Sequence, residues 1–197
     1  MSFQMCKKCY KPSTNGNICI DCQKKEAQLQ SAKIQAKKVL TTLEHGEYHN
    51  YLVYQGKTFF TEIYHGIIWA PIQNSKGQTF HHWTRLKDLK IGDRIFHCVN
   101  GKIEAISTVA KETIIQQFPN KVLDDEKYEG KGYCVKCNYV RYHNPLELCF
   151  YIDKTKELGQ YKYSPFNKYG VGNEGYLFPL CDELADLFDK EIHKFNY

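Results

Sequence analysis

The chain has 197 residues, a formal charge of +5 and 14% aromatic residues, with 15 tyrosines and 11 phenylalanines. That is apolar material for one packed domain of ordinary size plus a smaller appendage, and it excludes a wholly disordered chain. No apolar run approaches the roughly 18 residues of a membrane span, and residues 1–10 carry cysteine and lysine where a secretory leader needs an apolar stretch, so a soluble, cytoplasmic protein is expected.

Nine cysteines in such a chain point to thiols or metal ligands before disulfides, and an odd number cannot be fully paired within one chain. Cys6-Lys7-Lys8-Cys9 and Cys19-Ile20-Asp21-Cys22 form two CxxC knuckles separated by nine residues that include Pro12, Asn15 and Gly16. Four thiolates at this spacing can surround a zinc ion tetrahedrally, and a segment this short has no core of its own, so the metal would supply its folding energy. A closed shell of four thiolates leaves no open coordination position, which makes Cys6, Cys9, Cys19 and Cys22 ligands of a structural Zn²⁺ and the finger a platform for contacts.

Residues 23–44 lack glycine and proline, are rich in lysine, glutamine, alanine and leucine, and stop before Gly46, which predicts one long helix. Leu29, Ala32, Ala36, Val39 and Leu43 step by three and four along it beside a face bearing Lys33, Lys37 and Lys38. The stripe either packs on the main domain or forms a dimer coiled coil of only about two heptads. Residues 1–46 hold eight lysines against Asp21, Glu26 and Glu44, while the charges of the remainder cancel, so the whole positive excess sits on this arm. Such an arm suits a polyanion such as nucleic acid, and a solvated basic helix accounts for it almost as well. The organisation expected is a zinc finger over 1–23, a basic linker helix over 24–46 and a main domain over 47–197.

In the main domain, short β-type runs fall at residues 51–54, 58–63, 67–69, 94–99, 103–109 and 133–142, punctuated by glycine, asparagine and proline. Helical patterning is confined to residues 82–89 and to the C-terminal segment, where Leu180, Leu184, Leu187, Phe188 and Ile192 repeat at helical spacing after Pro179. The class is α+β, a curved sheet or small barrel with flanking helices. Cys134-Val135-Lys136-Cys137 is a third CxxC, but it lies inside a β-type run without a fourth pair, so no second zinc site is assigned. No His-Asn-His arrangement, Walker loop or nucleophile elbow is found, so a binding protein with no catalytic residue is expected, with a modification-dependent nuclease as the remaining alternative.

Four short pieces follow in order: Gly66-Ile67-Ile68-Trp69-Ala70-Pro71, His82-Trp83, Leu89-Lys90-Ile91-Gly92-Asp93-Arg94-Ile95-Phe96-His97, and Gly101-Lys102-Ile103-Glu104-Ala105-Ile106-Ser107. Together they resemble the PUA-like superfamily, within it the EVE and YTH branches and the EVE-like N-terminal domains of McrB-type modification-dependent restriction proteins. The matching pieces span roughly residues 50 to 190; the finger and the helix are not part of that pattern. The resemblance implies a domain that holds a modified base, flipped from DNA or present in single-stranded RNA, in an aromatic pocket.

By the same resemblance Trp69 stands on the strand that carries a base-binding tryptophan in YTH domains, although burial in the core is the commoner fate of an aromatic in a small domain. Trp83, at the start of a helix, is a second candidate for the rim. The family draws further cage residues from the segment after the second central strand, which points to Phe118 and Tyr128. Asn173 lies in a loop dense in glycine and aromatics and can donate and accept at once, towards a base edge or within an ordinary turn. Lys76, Arg85, Lys87, Lys90 and Arg94 crowd the same part of the chain and are expected to contact phosphate, whereas the acidic C-terminal helix should face away. The function expected is recognition of a modified, methylated base in DNA, favoured over RNA. The alternatives are a protein-binding or targeting subunit of a restriction or phage-defence system, and an RNA-binding PUA-like protein.

Overall fold

The computed structural model describes residues 49–119 and 130–196, together with the backbone of Gln4–Met5 and Pro12–Ser13. The four cysteines Cys6, Cys9, Cys19 and Cys22, the helix expected over residues 24–46 and Tyr128 lie outside the described residues. The chain divides into two units, Met1–Glu47 and Tyr48–Tyr197. In the first, β1 (Gln4–Met5) pairs antiparallel with β2 (Pro12–Ser13).

The second unit runs β3 (Asn50–Gln55), α1 (Phe59–His65), β4 (Ile67–Pro71), α2 (His81–Thr84), β5 (Arg94–Val99), β6 (Lys102–Val109), β7 (Ile114–Gln117), β8 (Lys131–Glu147), α3 (Ile152–Leu158), β9 (Leu177–Leu180) and α4 (Asp182–Asn196). Its strands form one seven-stranded sheet in the order β4-β8-β6-β5-β3-β9, with β7 also paired to β8. Among the described residues only β3 and β5 run parallel; every other pairing is antiparallel. The first half of β8 lies between β4 and β7, its second half along β6, and this handover curls the sheet into a half-barrel.

Alternation along the strands puts a different apolar set on each face. Leu52, Phe96, Ile103 and Leu180 pack under α4, whose Leu184, Ala185, Phe188 and Ile192 form its buried stripe. Tyr51, Val53, Ile68, Ala70, Ile95, Val135 and Leu177 fill the opposite face with Leu86 and Leu89. The class is α+β, as the strand and helix patterns predict.

One element differs in kind from its sequence pattern. Residues 58–63, expected as a strand because of Thr58, Phe59, Phe60, Thr61 and Ile63, begin the helix α1. Burial explains the difference: Phe59 and Glu62, three apart, face inward, while Phe60 and Tyr64 are 63% and 85% exposed. Gly66 ends the helix at φ 60°, donating its N–H back to Ile63 and Glu62, a conformation that favours glycine. The helix expected over 82–89 is split into α2 and a 3-10 turn, Arg85–Asp88.

Candidate ligand pocket

The end of β3, the edge strand β4, α2 and the segment leading into β9 converge on a cavity of about 560 Å³. Tyr54, Gln55 and Gly56 come from β3 and its exit, Trp69 to Pro71 from β4, Phe80, His82 and Trp83 from around α2, and Glu174, Gly175 and Tyr176 from the last segment. A volume between roughly 300 and 1,000 Å³ is that of a small-molecule site. Phe80 is 39% exposed, stacks on His82 with ring centroids 5.5 Å apart, and meets Trp83 edge-on at 4.8 Å. This exposed ring belongs to a wall of stacked aromatics and can take a further planar ring.

Trp69 and Trp83 are both in the lining, but they are held differently. The Trp69 side chain is only 3% exposed, its Nε1–H donates to the Gln116 carbonyl at 3.0 Å, and Phe118 meets it edge-on at 5.2 Å. It lies so close over Gly132 that a Cβ there would come within 2.3 Å of the indole, so this position of β8 requires glycine. Trp69 is therefore locked into the wall, with Phe118 packed beside it in a small cluster with Ile67 and Cys134. Trp83 is half-buried and packs against the core of the inner face.

Behind the wall lies a chain of buried polar groups. Glu62 is fully buried, and its Oε2 accepts from Gln55 Nε2 at 2.8 Å, from the Tyr176 hydroxyl at 2.6 Å and from the Trp69 backbone N–H at 3.2 Å. Its Oε1 has no hydrogen-bond partner among the described residues. Burial pushes the carboxyl up to about 7, against the pull of its hydrogen-bonding neighbours Thr58, Tyr176, Gln55 and the Trp69 N–H. Gln55 spends its amide on Glu62, so its Oε1 accepts from His97 Nδ1 at 2.8 Å, and His97 Nε2 accepts from the Ser107 hydroxyl at 2.7 Å. This fixes the His97 tautomer, and burial drives its pKa down to about 3, so the ring is neutral.

The remaining sequence candidates are dispersed. Asn173 precedes the lining residues, and its side chain is spent locally, Nδ2 donating to the Ser164 carbonyl at 3.0 Å. Lys76 is exposed in a turn organised by the Asn74 side chain. Arg85 donates to the Leu177 carbonyl at 2.8 Å and sits over the Tyr163 ring. Lys87 and Lys90 line a second hollow with Ile91, Glu112, Ile115 and Tyr133, and the Lys87 ammonium is 5.6 Å from the Tyr133 ring centre. Arg94 donates to Asn50 and pairs with Asp186 and Asp189 of α4, which sets its charge against the acidic helix.

Tyr54, Phe80, Glu174 and Tyr176 are among the lining residues that sequence patterning did not single out; for Glu174 and Tyr176 the signal was the density of aromatics and glycine around 164–178, and His82 entered only as the neighbour of Trp83. Cys134 and Cys137 fall in different apolar clusters, and burial raises their thiols to about 11 and about 12, so both are protonated at neutral pH. Among the described residues no group of three or more histidine, cysteine or acidic side chains is arranged to hold a metal, and no helix is long and apolar enough to cross a membrane.

No family model matches the chain, and no curated protein matches it. Solved structures do align with it. A hypothetical protein from Leishmania major is 12% identical over 75% of this chain and 96% of its own, with a TM-score of 0.46. A protein from Pseudomonas syringae is 14% identical over 73% of this chain and 99% of its own, also at 0.46. The YTH domain of the Zygosaccharomyces rouxii MRB1 protein, solved in complex with N6-methyladenosine RNA, is 12% identical over 77% of this chain and 90% of its own, again at 0.46.

Proposed function

We propose that this protein binds nucleic acid and reads a modified, methylated base in the aromatic pocket, without catalysing a reaction on it. The observation that carries the reading is the pocket itself: a cavity of about 560 Å³, roomy enough for a base, with a partly exposed Phe80 ring in a stacked wall and polar groups at its back. Stacking on an aromatic side chain contributes about 1–3 kcal/mol per base. The sequence resemblance to EVE and YTH domains agrees with this use of the pocket.

DNA is the favoured polymer. A base within a duplex must then be extruded at a cost of a few kcal/mol, which stacking and phosphate contacts offset. The lysine-rich arm supplies sequence-tolerant affinity, and Cys6, Cys9, Cys19 and Cys22 hold a structural zinc beside it.

The test is binding of the zinc-loaded protein to matched duplexes and single strands, unmodified or carrying methylated cytosine or adenine, at two salt concentrations. A preference for a modified strand that disappears in Phe80→Ala and Trp83→Ala is the expected result. Uniform, salt-sensitive binding that ignores both substitutions would leave only the arm active. Absence of binding to any strand would turn the reading towards a protein-targeting subunit.

A further inference from the structure

We infer that the pocket selects a methylated base that carries a positive charge, with Glu174 in its lining and Glu62 behind its wall as counter-ions. The inference rests on the base-reading proposal and names the class of base.

Among the described residues the lining contains no lysine or arginine, and Glu174 is its acidic member. Tyr54, Trp69, Phe80, Trp83 and Tyr176 supply aromatic rings, and ring faces attract cations more than neutral guests. His82 adds no competing cation: burial, with His81 and Arg85 nearby, lowers its pKa, and only Glu174 pulls the other way. Its Nδ1 is buried without a hydrogen-bond partner among the described residues, so the lining itself retains an unfilled polar position.

Glu62 makes the charge balance of the site unusual. Gln55, Thr58, Trp69 and Tyr176 surround it and all four line the cavity, so the carboxyl lies directly behind the pocket wall. Its donors are all neutral, and among the described residues no lysine or arginine acts on it. A buried carboxylate lacking a cation is costly, and its field is weakly screened across a dry wall. A cationic guest in the cavity supplies the missing charge; a neutral methylated base does not.

The groups facing Glu62 from the surrounding elements do not titrate near neutrality. Tyr139 and Tyr176 are held well above the ordinary tyrosine value, Cys134 and Cys137 at about 11 and about 12, and His97, reached through Gln55, at about 3. Glu62 alone among them changes charge around neutral pH, so cation binding and loss of its proton favour each other.

Methylation on the Watson–Crick face yields such bases: 3-methylcytosine and 1-methyladenine are cations at neutral pH, while their isomers 5-methylcytosine and N6-methyladenine are neutral. The charged isomers also pair poorly, which lowers the cost of extruding them.

The test is calorimetric titration of the full-length, zinc-loaded protein with short single strands containing one of these four bases at the centre. The charged isomers are expected to bind roughly tenfold more tightly than their neutral counterparts, the size of one good cation–aromatic contact. The advantage should grow between pH 6 and 8, shrink in Glu174→Gln, and lose its pH dependence in Glu62→Gln, with folding of each variant verified by thermal melting. Glu174 is exposed, so its substitution keeps the test decisive should Glu62→Gln fail to fold. Neutral isomers binding as tightly as charged ones would overturn the inference and leave the base-reading proposal standing. No discrimination of any methylated base from the unmodified strand would overturn both, and binding of a trimethyllysine peptide in its place would assign the cage to a protein tail.

Discussion

Glu62 and His97 sit on the same hydrogen-bonded chain but are perturbed in ways that act oppositely on stability. Glu62 is raised from 4.5 to about 7, so between those values the folded state holds the extra proton and stability falls as pH rises. His97 is lowered from 6.5 to about 3, so across that span the unfolded state binds the extra proton and stability falls as pH drops. Where the spans overlap, roughly pH 4.5 to 6.5, the two slopes of about 1.4 kcal/mol per pH unit cancel. Glu62→Gln removes one of them, so urea denaturation of that variant should show stability dropping as pH falls from about 6.5 to 4.5, the interval in which these two groups leave the parent nearly flat. A flat profile in the variant would mean that His97 is not the buried neutral ring described above. Trp69 and Phe80 differ in a similar way although both line the pocket. Trp69→Ala should cost about 3–5 kcal/mol of stability, as truncation of a buried aromatic does, whereas Phe80→Ala should cost under about 1 kcal/mol. Paired melting and binding curves would separate the wall from the stacking surface.

At the scale of elements, what the sequence revealed depended on whether burial alternated cleanly. β5 is legible from end to end because Ile95, Phe96 and Cys98 are apolar and buried on its two faces. α4 is legible from its three-and-four spacing, with Leu184, Phe188 and Ile192 on the inward face. α1 was not, because its composition is that of a strand and what makes it helical is the inward pairing of Phe59 with Glu62 and the stop at Gly66. β7 offers no pattern, since Ile114 and Ile115 are both exposed and its place is set by pairing with β8. β8 runs past the expected end at Tyr142, itself in the core, through exposed His143 and Asn144, and Leu146 beyond them returns to the core. The two tryptophans could be assigned to the pocket, but the orientation of Trp69 could not, because it depends on Gly132 and Gln116, which are distant in sequence. Glu62 gave no signal: a glutamate in a short run reads as surface, and its burial depends on Gln55, Tyr176 and the β4 backbone.

For the whole molecule, the positive excess lies in residues 1–46, and the described residues that line the pocket belong to the second unit. Affinity and selectivity should therefore be separable. Replacing Lys33, Lys37 and Lys38 with alanine should weaken binding to all strands alike and reduce the salt slope by about 0.9 for each phosphate that is no longer neutralised, leaving the preference for a modified base intact. Removal of zinc by a chelator should act in the same direction, and elemental analysis should find zinc missing from a Cys6→Ser, Cys22→Ser variant. Disappearance of base preference in the lysine variant would instead mean that the arm takes part in reading.

The handover along β8 has a kinetic consequence. Its first half is hydrogen-bonded on both sides, to β4 and to β7, so those amides can exchange with solvent only when much of the sheet opens. The β4 wall of the pocket is hydrogen-bonded along its length to this doubly paired stretch, while Phe80, His82 and Trp83 are brought to the cavity by the four-residue α2 and its entry. An arriving base would find the β4 side already set and would tighten α2, so ligand-induced slowing of hydrogen exchange should concentrate at residues 80–84.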